Sequence, residues 1–358
     1  MRWKTEVEIG RARISQNDPT YFIADIAANH DGDLDRARKL IWDAKEAGAD
    51  CAKFQHFVAD KIVSAAGFEA LGAQSAHQAS WKRTVIEVYD AYHTRRDWTA
   101  ALVETCRAAN IEYMTTPYDM EAITAQAPHV PAMKVGSGDI TFTPLLQACA
   151  DLGKPVLLAT GAATMSDVEQ AVATLLARNS KLVLMQCNTN YTGSEDNFAH
   201  VNLNVLKTFA LRWPGMPLGL SDHTPGHEAV LGAVALGARV IEKHFTDDNS
   251  REGPDHAFAL DPVAWAAMVK AARRLESSMG TGIKGIEANE SQTVVVQRRA
   301  IRARAALPVG HVLIADDVEC LRPCPAEALD PRSLNEVIGR TLSTSIPAGQ
   351  ALTWSDLA

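Results

Sequence analysis

Apolar and polar residues alternate along residues 1–280 in two rhythms. Short runs of β-branched or small apolar residues, at 21–26, 51–56, 111–115, 132–135, 155–159, 182–186, 217–220 and 239–245, are separated by longer stretches in which apolar residues recur every three to four positions. The short runs have the composition of strands, and the stretches 34–47, 96–109, 144–152, 165–176 and 228–236 have the period of helices. Several stretches end as a helix should. Gly48, Asn110, Gly153 and Gly237 follow the last periodic residue and suit a left-handed C-cap. Eight strand-then-helix units predict an α/β fold whose parallel sheet closes into a (β/α)8, or TIM, barrel.

Two regions break this beat. Residues 64–94, with Gly67, Gly72, Gln74, His77 and Trp81, are too long for an ordinary strand-to-helix loop and predict a helical excursion over the barrel mouth. Residues 262–278 read as the closing helix, and 279–290, with Gly280, Gly282 and Gly285, as a connector. Beyond it, β-like runs at 300–303, 312–314 and 342–346 are broken by Pro308, Pro323, Pro325 and Pro347, which predicts a small β-rich domain. The expected organisation is a barrel at 1–278, a linker at 279–290 and a second domain at 291–358, the last near the lower size limit for independent folding.

Composition narrows the partners. The 358 residues carry 35 Lys plus Arg against 43 Asp plus Glu, a formal net charge of -8. Such a chain has no global field for nucleic acid, so none is expected, and a phosphate-bearing ligand would have to be caught by a local cluster. Residues 1–8 do not run from basic to apolar as a secretory leader does, and no window approaches the roughly 18 apolar residues of a membrane span, so a soluble cytoplasmic protein is expected. The six cysteines (Cys51, Cys106, Cys149, Cys187, Cys320, Cys324) form no C-x-x-C pair and are expected to be small buried hydrophobes, not zinc ligands or disulfides.

In a barrel of this kind the chemistry lies at the C-terminal ends of the strands. Asp25, Lys53 with Gln55, Thr115-Thr116, Lys134 with Gly136-Ser137-Gly138, Thr160-Gly161, Gln186-Cys187-Asn188, Ser221-Asp222-His223 and Glu242-Lys243-His244 all fall at or just past a predicted strand end. Two lysines beside Ser137 and Thr160-Gly161 suit a small phosphate or carboxylate, because cations and backbone N–H groups can converge on its oxygens. The alternative is a tight turn with the lysines reaching out to water. His223 and His244 end neighbouring strands, so their imidazoles could share one divalent cation. His223 and His227, at i,i+4 spacing, form a competing pair. The run Arg298-Arg299-Ala-Ile-Arg302-Ala-Arg304 reads either as a strand with one wet face or as a guanidinium offered to a carboxylate.

These residues stand in motifs that resemble the sialic acid synthase (N-acetylneuraminate synthase) family, which condenses phosphoenolpyruvate with N-acetylmannosamine or related sugars. The motifs are Ile23-Ala-Asp-Ile-Ala-Ala-Asn29-His30-Asp-Gly32, Ala47-Gly-Ala-Asp-Cys-Ala-Lys53-Phe-Gln55, Lys134-Val-Gly-Ser-Gly138, Gly219-Leu-Ser-Asp-His223-Thr, Val240-Ile-Glu-Lys-His244-Phe-Thr and Gly253-Pro-Asp-His256. The tail, with Arg298-Arg299, Leu307-Pro-Val-Gly310 and Arg322-Pro323, resembles the SAF (β-clip, antifreeze-like) domain that closes these synthases. The resemblance implies His223 and His244 as ligands of a divalent metal, Mn2+ with Mg2+ or Co2+ as alternatives. It implies Lys53, Lys134, Ser137 and Thr116 as the phosphoenolpyruvate cradle, with Gln55, Asn188, Tyr191 and Asp255 on the sugar and the metal shell. It further implies a domain-swapped homodimer in which Arg299, or its neighbour Arg298, enters the partner's site. Three positions depart from the family pattern, which usually has Glu at Asp25, Ser at Ala159 and Glu at Asp139. The loop 192–200 also lacks the family's proline-rich run. The expected activity is synthesis of a nonulosonic (sialic-type) acid, with Asp25, Lys53, Lys134 and Arg299 as catalytic groups. The alternatives are another metal-dependent synthase of a 3-deoxy-2-keto acid, a sugar-phosphate hydrolase, or a carbohydrate-binding barrel without turnover.

Overall fold

The computed structural model describes residues 2–71, 81 and 83–358; Gly72, Gln74 and His77 of the predicted excursion lie outside them. The chain divides into two compact units, Met1–Gly280 and Thr281–Ala358.

In the first unit, β1 (Val7–Ile9) and β2 (Ala12–Ile14) form an antiparallel hairpin. The eight following strands are β3 (Tyr21–Asp25), β4 (Cys51–His56), β5 (Glu112–Pro117), β6 (Met133–Val135), β7 (Val156–Ala159), β8 (Leu182–Cys187), β9 (Leu218–Asp222) and β10 (Ala238–His244). They close a parallel barrel in chain order, β10 pairing with β3. Each predicted run is a strand, with ends displaced by one or two residues. Parallel register already assembles the chemistry: Asp25 lies beside Lys53 on one side and beside His244 on the other.

Side chains alternate between the barrel interior and the helix ring. Along β10, Val240 joins an inner apolar cluster with Tyr21, Ile23, Cys51, Met114, Leu157, Val183 and Met185, whereas Ile241 and Phe245 belong to the outer core under the helices. Glu242 and His244 therefore share the interior face with Val240. Val7, Ile9 and Ile14 of the hairpin pack into the same inner cluster from below.

Local signals start and stop the helices. Asp33 caps Leu34–Glu46 by accepting from the N–H groups of Asp35 and Arg36, and Thr164 with Asp167 forms a capping box on Met165–Leu176. Asn110 ends Thr99–Ala109 at φ 54°. The hairpin and the short helices Met120–Gln126 and Val205–Arg212 go beyond the sequence reading. Among the described residues of the excursion, Ala65–Leu71 and Val85–Tyr92 are helices, and Ala59–Ile62 precedes them.

The second unit holds a helix at Ser291–Gln297, followed by β11 (Ala300–Ala303), the first predicted run, paired antiparallel with β12 (Val318–Leu321). The predicted runs 312–314 and 342–346 are not strands. They make only isolated bridges, Val312 to Thr341, Leu342 to Leu357 and Ile346 to Leu307, because turns at Pro308-Val-Gly310 and Pro347-Ala-Gly349 interrupt the pairing. Ile301, Leu313, Val337, Leu342, Ile346 and Leu352 fill its core. No helix among the described residues is long and apolar enough to cross a membrane.

Candidate active site

The upper barrel interior is ionic. Lys53 Nζ lies 2.8 Å from Asp25 Oδ2 and donates to Thr116 Oγ1 at 3.0 Å, and Lys134 Nζ lies 3.2 Å from Glu242 Oε1. Lys53, Lys134, Asp25 and Glu242 are all at most 4% exposed. Burial would pull the Lys53 ammonium down, but Asp25 and Glu242 override it and hold its pKa above the ordinary lysine value. Burial would likewise raise Glu242, yet Lys134 and Lys53 keep it well below the usual carboxylate range, whereas desolvation wins at Asp25 and raises it. Gln55 Nε2 donates to Asp25 Oδ2 at 3.1 Å, and Ser221 Oγ donates to Glu242 Oε1 at 3.0 Å. One oxygen of each carboxylate, Asp25 Oδ1 and Glu242 Oε2, is buried without a hydrogen-bond partner. Such atoms mark a place where polar ligand atoms are expected. Glu242 is the residue that sequence reasoning underrated: it sits two positions before His244, and the strand period alone puts both on one face.

Ser137 and Thr160 border the lysines. Ser137 Oγ accepts from the Gly161 N–H at 2.9 Å, and a Cβ at Gly161 would fall 2.4 Å from Thr189 Cγ2, so only glycine brings that backbone so close. Thr160 Oγ1 donates to the Met185 carbonyl at 2.9 Å.

Opposite the lysines, the His223 and His244 rings face each other with centroids 5.4 Å apart. Burial first, then His244 for His223 and Lys53 for His244, pushes both imidazoles down to about 3, so they are neutral at physiological pH. The Asn188 carbonyl, 2.8 Å from His223 Nδ1, can only accept, which fixes the proton on Nδ1 and leaves the Nε2 lone pair available. His244 Nδ1 is buried without a hydrogen-bond partner, 3.7 Å from Asp255 Oδ2, and His244 Nε2 is 3.7 Å from Asp25 Oδ2. Among the described residues no three His, Cys, Asp or Glu side chains converge as a closed metal site. Two neutral imidazoles, with Asp25 and Asp255 carboxylate oxygens each 3.7 Å from a His244 nitrogen, offer the donor types of an open catalytic site, so the residues fit a divalent metal. The competing pair fails: residues 223–227 are not helical, and His227 instead sits at the N-cap of Glu228–Ala235.

Tyr191 packs on both imidazoles, 4.4 Å from His223 and 6.3 Å from His244, and Phe258 lies 4.8 Å from His244. Asp255, pushed up to about 6 by burial and then by Asp25, accepts from the Ala28 N–H at 3.3 Å. The Asn188 amide is turned toward the His200 carbonyl at 3.2 Å, so only its backbone touches His223. Arg298 and Arg299 belong to the second unit, where Arg299 donates to the Cys320 carbonyl at 3.0 Å.

Residues 40–284 match the NeuB family and residues 298–358 match the SAF domain. The chain belongs to the NeuB family. This NeuB chain is 34% identical to the N,N'-diacetyllegionaminic acid synthase of Legionella pneumophila, over 94% of each chain. It is 30% identical to the N-acetylneuraminate-9-phosphate synthase of Homo sapiens, over 87% of this chain and 86% of that one. The crystal structure of an N-acetylneuraminic acid (sialic acid) synthetase from Leptospira borgpetersenii superposes with a TM-score of 0.70 at 29% identity, covering 82% of this chain and 96% of that chain. To the NeuB match this chain adds its own SAF match at the C-terminal end.

Proposed function

We propose that the barrel mouth condenses phosphoenolpyruvate with the aldehyde of an N-acetylmannosamine-type or related amino sugar, releasing a nonulosonic (sialic-type) acid and inorganic phosphate. The position of Asp25 carries this reading. Its Oδ2 lies 2.8 Å from Lys53 Nζ and 3.7 Å from His244 Nε2, so one carboxylate joins a cationic pair to an imidazole pair. An anion on one side and an aldehyde on the other would then meet across about one carboxylate's width.

Lys53 and Lys134 exchange their carboxylate partners for the phosphate and carboxylate oxygens of the enol ester, with Thr116, Ser137 and Thr160 along the same wall. C3 of the enol forms a bond to the aldehyde carbon, water adds to C2, and the C2–O bond to phosphate breaks, which balances the atoms of both products. Asp25, released from Lys53, orients that water or an acceptor hydroxyl, and its short side chain makes the placement exacting. Gln55, Asn188, Tyr191 and Asp255 contact the acceptor. His223 and His244 hold a divalent cation, assigned as Mn2+ with Mg2+ or Co2+ as alternatives. When bound, it supplies Lewis acidity to the aldehyde oxygen. Arg299, with Arg298 as the alternative, reaches the site from the second unit of a partner chain in a domain-swapped homodimer and holds the acceptor or the substrate carboxylate. The protein acts in the cytoplasm on small molecules, with no nucleic acid and no membrane.

The test is phosphate release from phosphoenolpyruvate with a panel of amino sugars. Release that needs both metal and sugar supports the condensation. Release without a sugar identifies a hydrolase, and sugar binding without release identifies a carbohydrate-binding barrel. For the swapped dimer, mixing an inactive Lys53→Ala chain with an inactive Arg299→Ala chain should recover activity; recovery would fail if each site were built within one chain.

A further inference from the structure

We infer that the outer half of the acceptor cavity is an apolar subsite that selects a methyl-terminated group at the end of the sugar remote from its aldehyde and turns away a phosphate there. The inference rests on the condensation proposed above and adds which acceptor it takes.

A cavity of about 160 Å³ runs from His244, Asp255 and Gln55 outward to an aromatic wall. Phe57 stands at the centre of that wall, its ring 5.2 Å from Tyr89 and 5.9 Å from Tyr118. Phe57 directly follows β4, the strand that carries Lys53 and Gln55, and Tyr118 directly follows β5. The barrel thus fixes two of the rings relative to the lysines. Tyr89 comes from the excursion helix Val85–Tyr92, which is anchored by the Thr84–Glu87 capping box. The cavity therefore changes character along its length, from carboxylate, amide and imidazole at the reacting end to aromatic rings, with Ile62 and Val88 beside them, at the far end.

That gradient sorts acceptors. With the aldehyde held beside His244, the far end of an open-chain sugar lies against Phe57, Tyr89 and Tyr118. A methyl, whether of a 6-deoxy carbon or of an N-acyl group, loses only apolar hydration there. A phosphate dianion would lose its water against the negative faces of the rings. Arg83 is engaged over the Tyr92 ring, 5.6 Å from its centroid. Lys53 and Lys134 lie deep in the barrel, where the first substrate uses them. Overall identity does not make this choice: the relative named for an N,N'-diacetyl product and the one named for a 9-phosphate product are 34% and 30% identical to this chain.

The experiment uses the full chain loaded with Mn2+ and phosphoenolpyruvate, and three acceptors: N-acetylmannosamine, its 6-phosphate, and a 2,4-diacetamido-6-deoxyhexose. The methyl-terminated sugar should exceed N-acetylmannosamine in kcat/KM by roughly tenfold, the lower range for one apolar group in a fitted pocket, and the phosphate ester should be poorest. Tyr89→Ala should erase most of that preference by raising KM for the methyl-terminated sugar while leaving KM for phosphoenolpyruvate unchanged, and Tyr89→Phe should keep it. Tyr89→Lys should shift relative activity toward the phosphate ester, with melting curves confirming that each variant is folded. A best rate with the phosphate ester, or an unchanged ratio in Tyr89→Ala, would overturn the subsite. Failure of all three sugars to release phosphate would instead sink the condensation. Calorimetry with the same sugars would then still decide the subsite, tightest binding by the phosphate ester counting against it.

Discussion

The lower and upper halves of the barrel interior are built by the same strands and do opposite work. Below, Tyr21, Ile23, Cys51, Met114, Leu157, Val183, Met185 and Val240 make a dry layer. Two residues further along β3, β4 and β10 stand Asp25, Lys53 and Glu242, joined by Lys134 of β6 and Ser221 of β9, all buried but charged or polar. An apolar layer is stabilised by leaving water. A buried ionic layer gains little net stability, because desolvation offsets most of the attraction, so its presence asks for another reason. Orphaned oxygens on Asp25 and Glu242 supply one: the upper layer is shaped for a ligand at the expense of its own completeness.

Substitutions should separate the two halves. Lys134→Met, which leaves Glu242 short of a counter-ion, should lower turnover by at least about a hundredfold, as loss of one preorganised charge does, and phosphate-release kinetics will measure it. His223→Ala should abolish tight Mn2+ binding, read by electron paramagnetic resonance of the free ion; retention at wild-type strength would dissolve the imidazole pair as a metal site. Ile23→Ala in the lower layer should cost about 2–4 kcal/mol in urea unfolding while leaving kcat per folded molecule unchanged. A collapse of kcat in that variant would mean that the halves are not separable.

Smaller effects sharpen the contrast. His30 follows β3 and His56 ends β4 on the face opposite Lys53 and Gln55, and burial pushes them down to about 4 and about 3. Because their folded values fall below the ordinary 6.5, the unfolded chain binds more protons between those limits. The stability they contribute is complete above pH 6.5 and is lost as pH falls toward 4. Thermal melts at pH 7.5 and pH 5 should therefore differ by several degrees, the acidic sample being weaker. Asp25→Glu, which lengthens the carboxylate by one methylene, should change kcat by up to about a hundredfold, the cost of a 1 Å misplacement. A thousandfold loss would show that the neighbours have been rebuilt around aspartate.

Much of this could be read from the chain. Strand composition and helix stops gave all eight barrel strands, because a parallel strand covered on both faces is apolar throughout and stands out from its flanks. Pairing of Asp25 with Lys53 and His244 follows once strand order is known. Four things escaped. The hairpin strands are three residues each, too short for period to register. Beyond the β11–β12 pair, the second unit joins its segments by single bridges, which leave no alternating pattern. Glu242 is one polar strand end among many in the sequence, and only the closed barrel sets it 3.2 Å from Lys134. The aromatic wall unites Phe57, Tyr89 and Tyr118, residues far apart in sequence, and only folding makes them neighbours.

The β1–β2 hairpin has a kinetic corollary. By sealing the floor with Val7, Ile9 and Ile14 it turns the barrel into a cul-de-sac. Whatever docks on the deep lysines must arrive before a second molecule fills the vestibule above, and the fragment left on them departs last. On the proposed chemistry, initial-rate plots should take the form of an ordered sequence, with phosphoenolpyruvate leading and phosphate trailing.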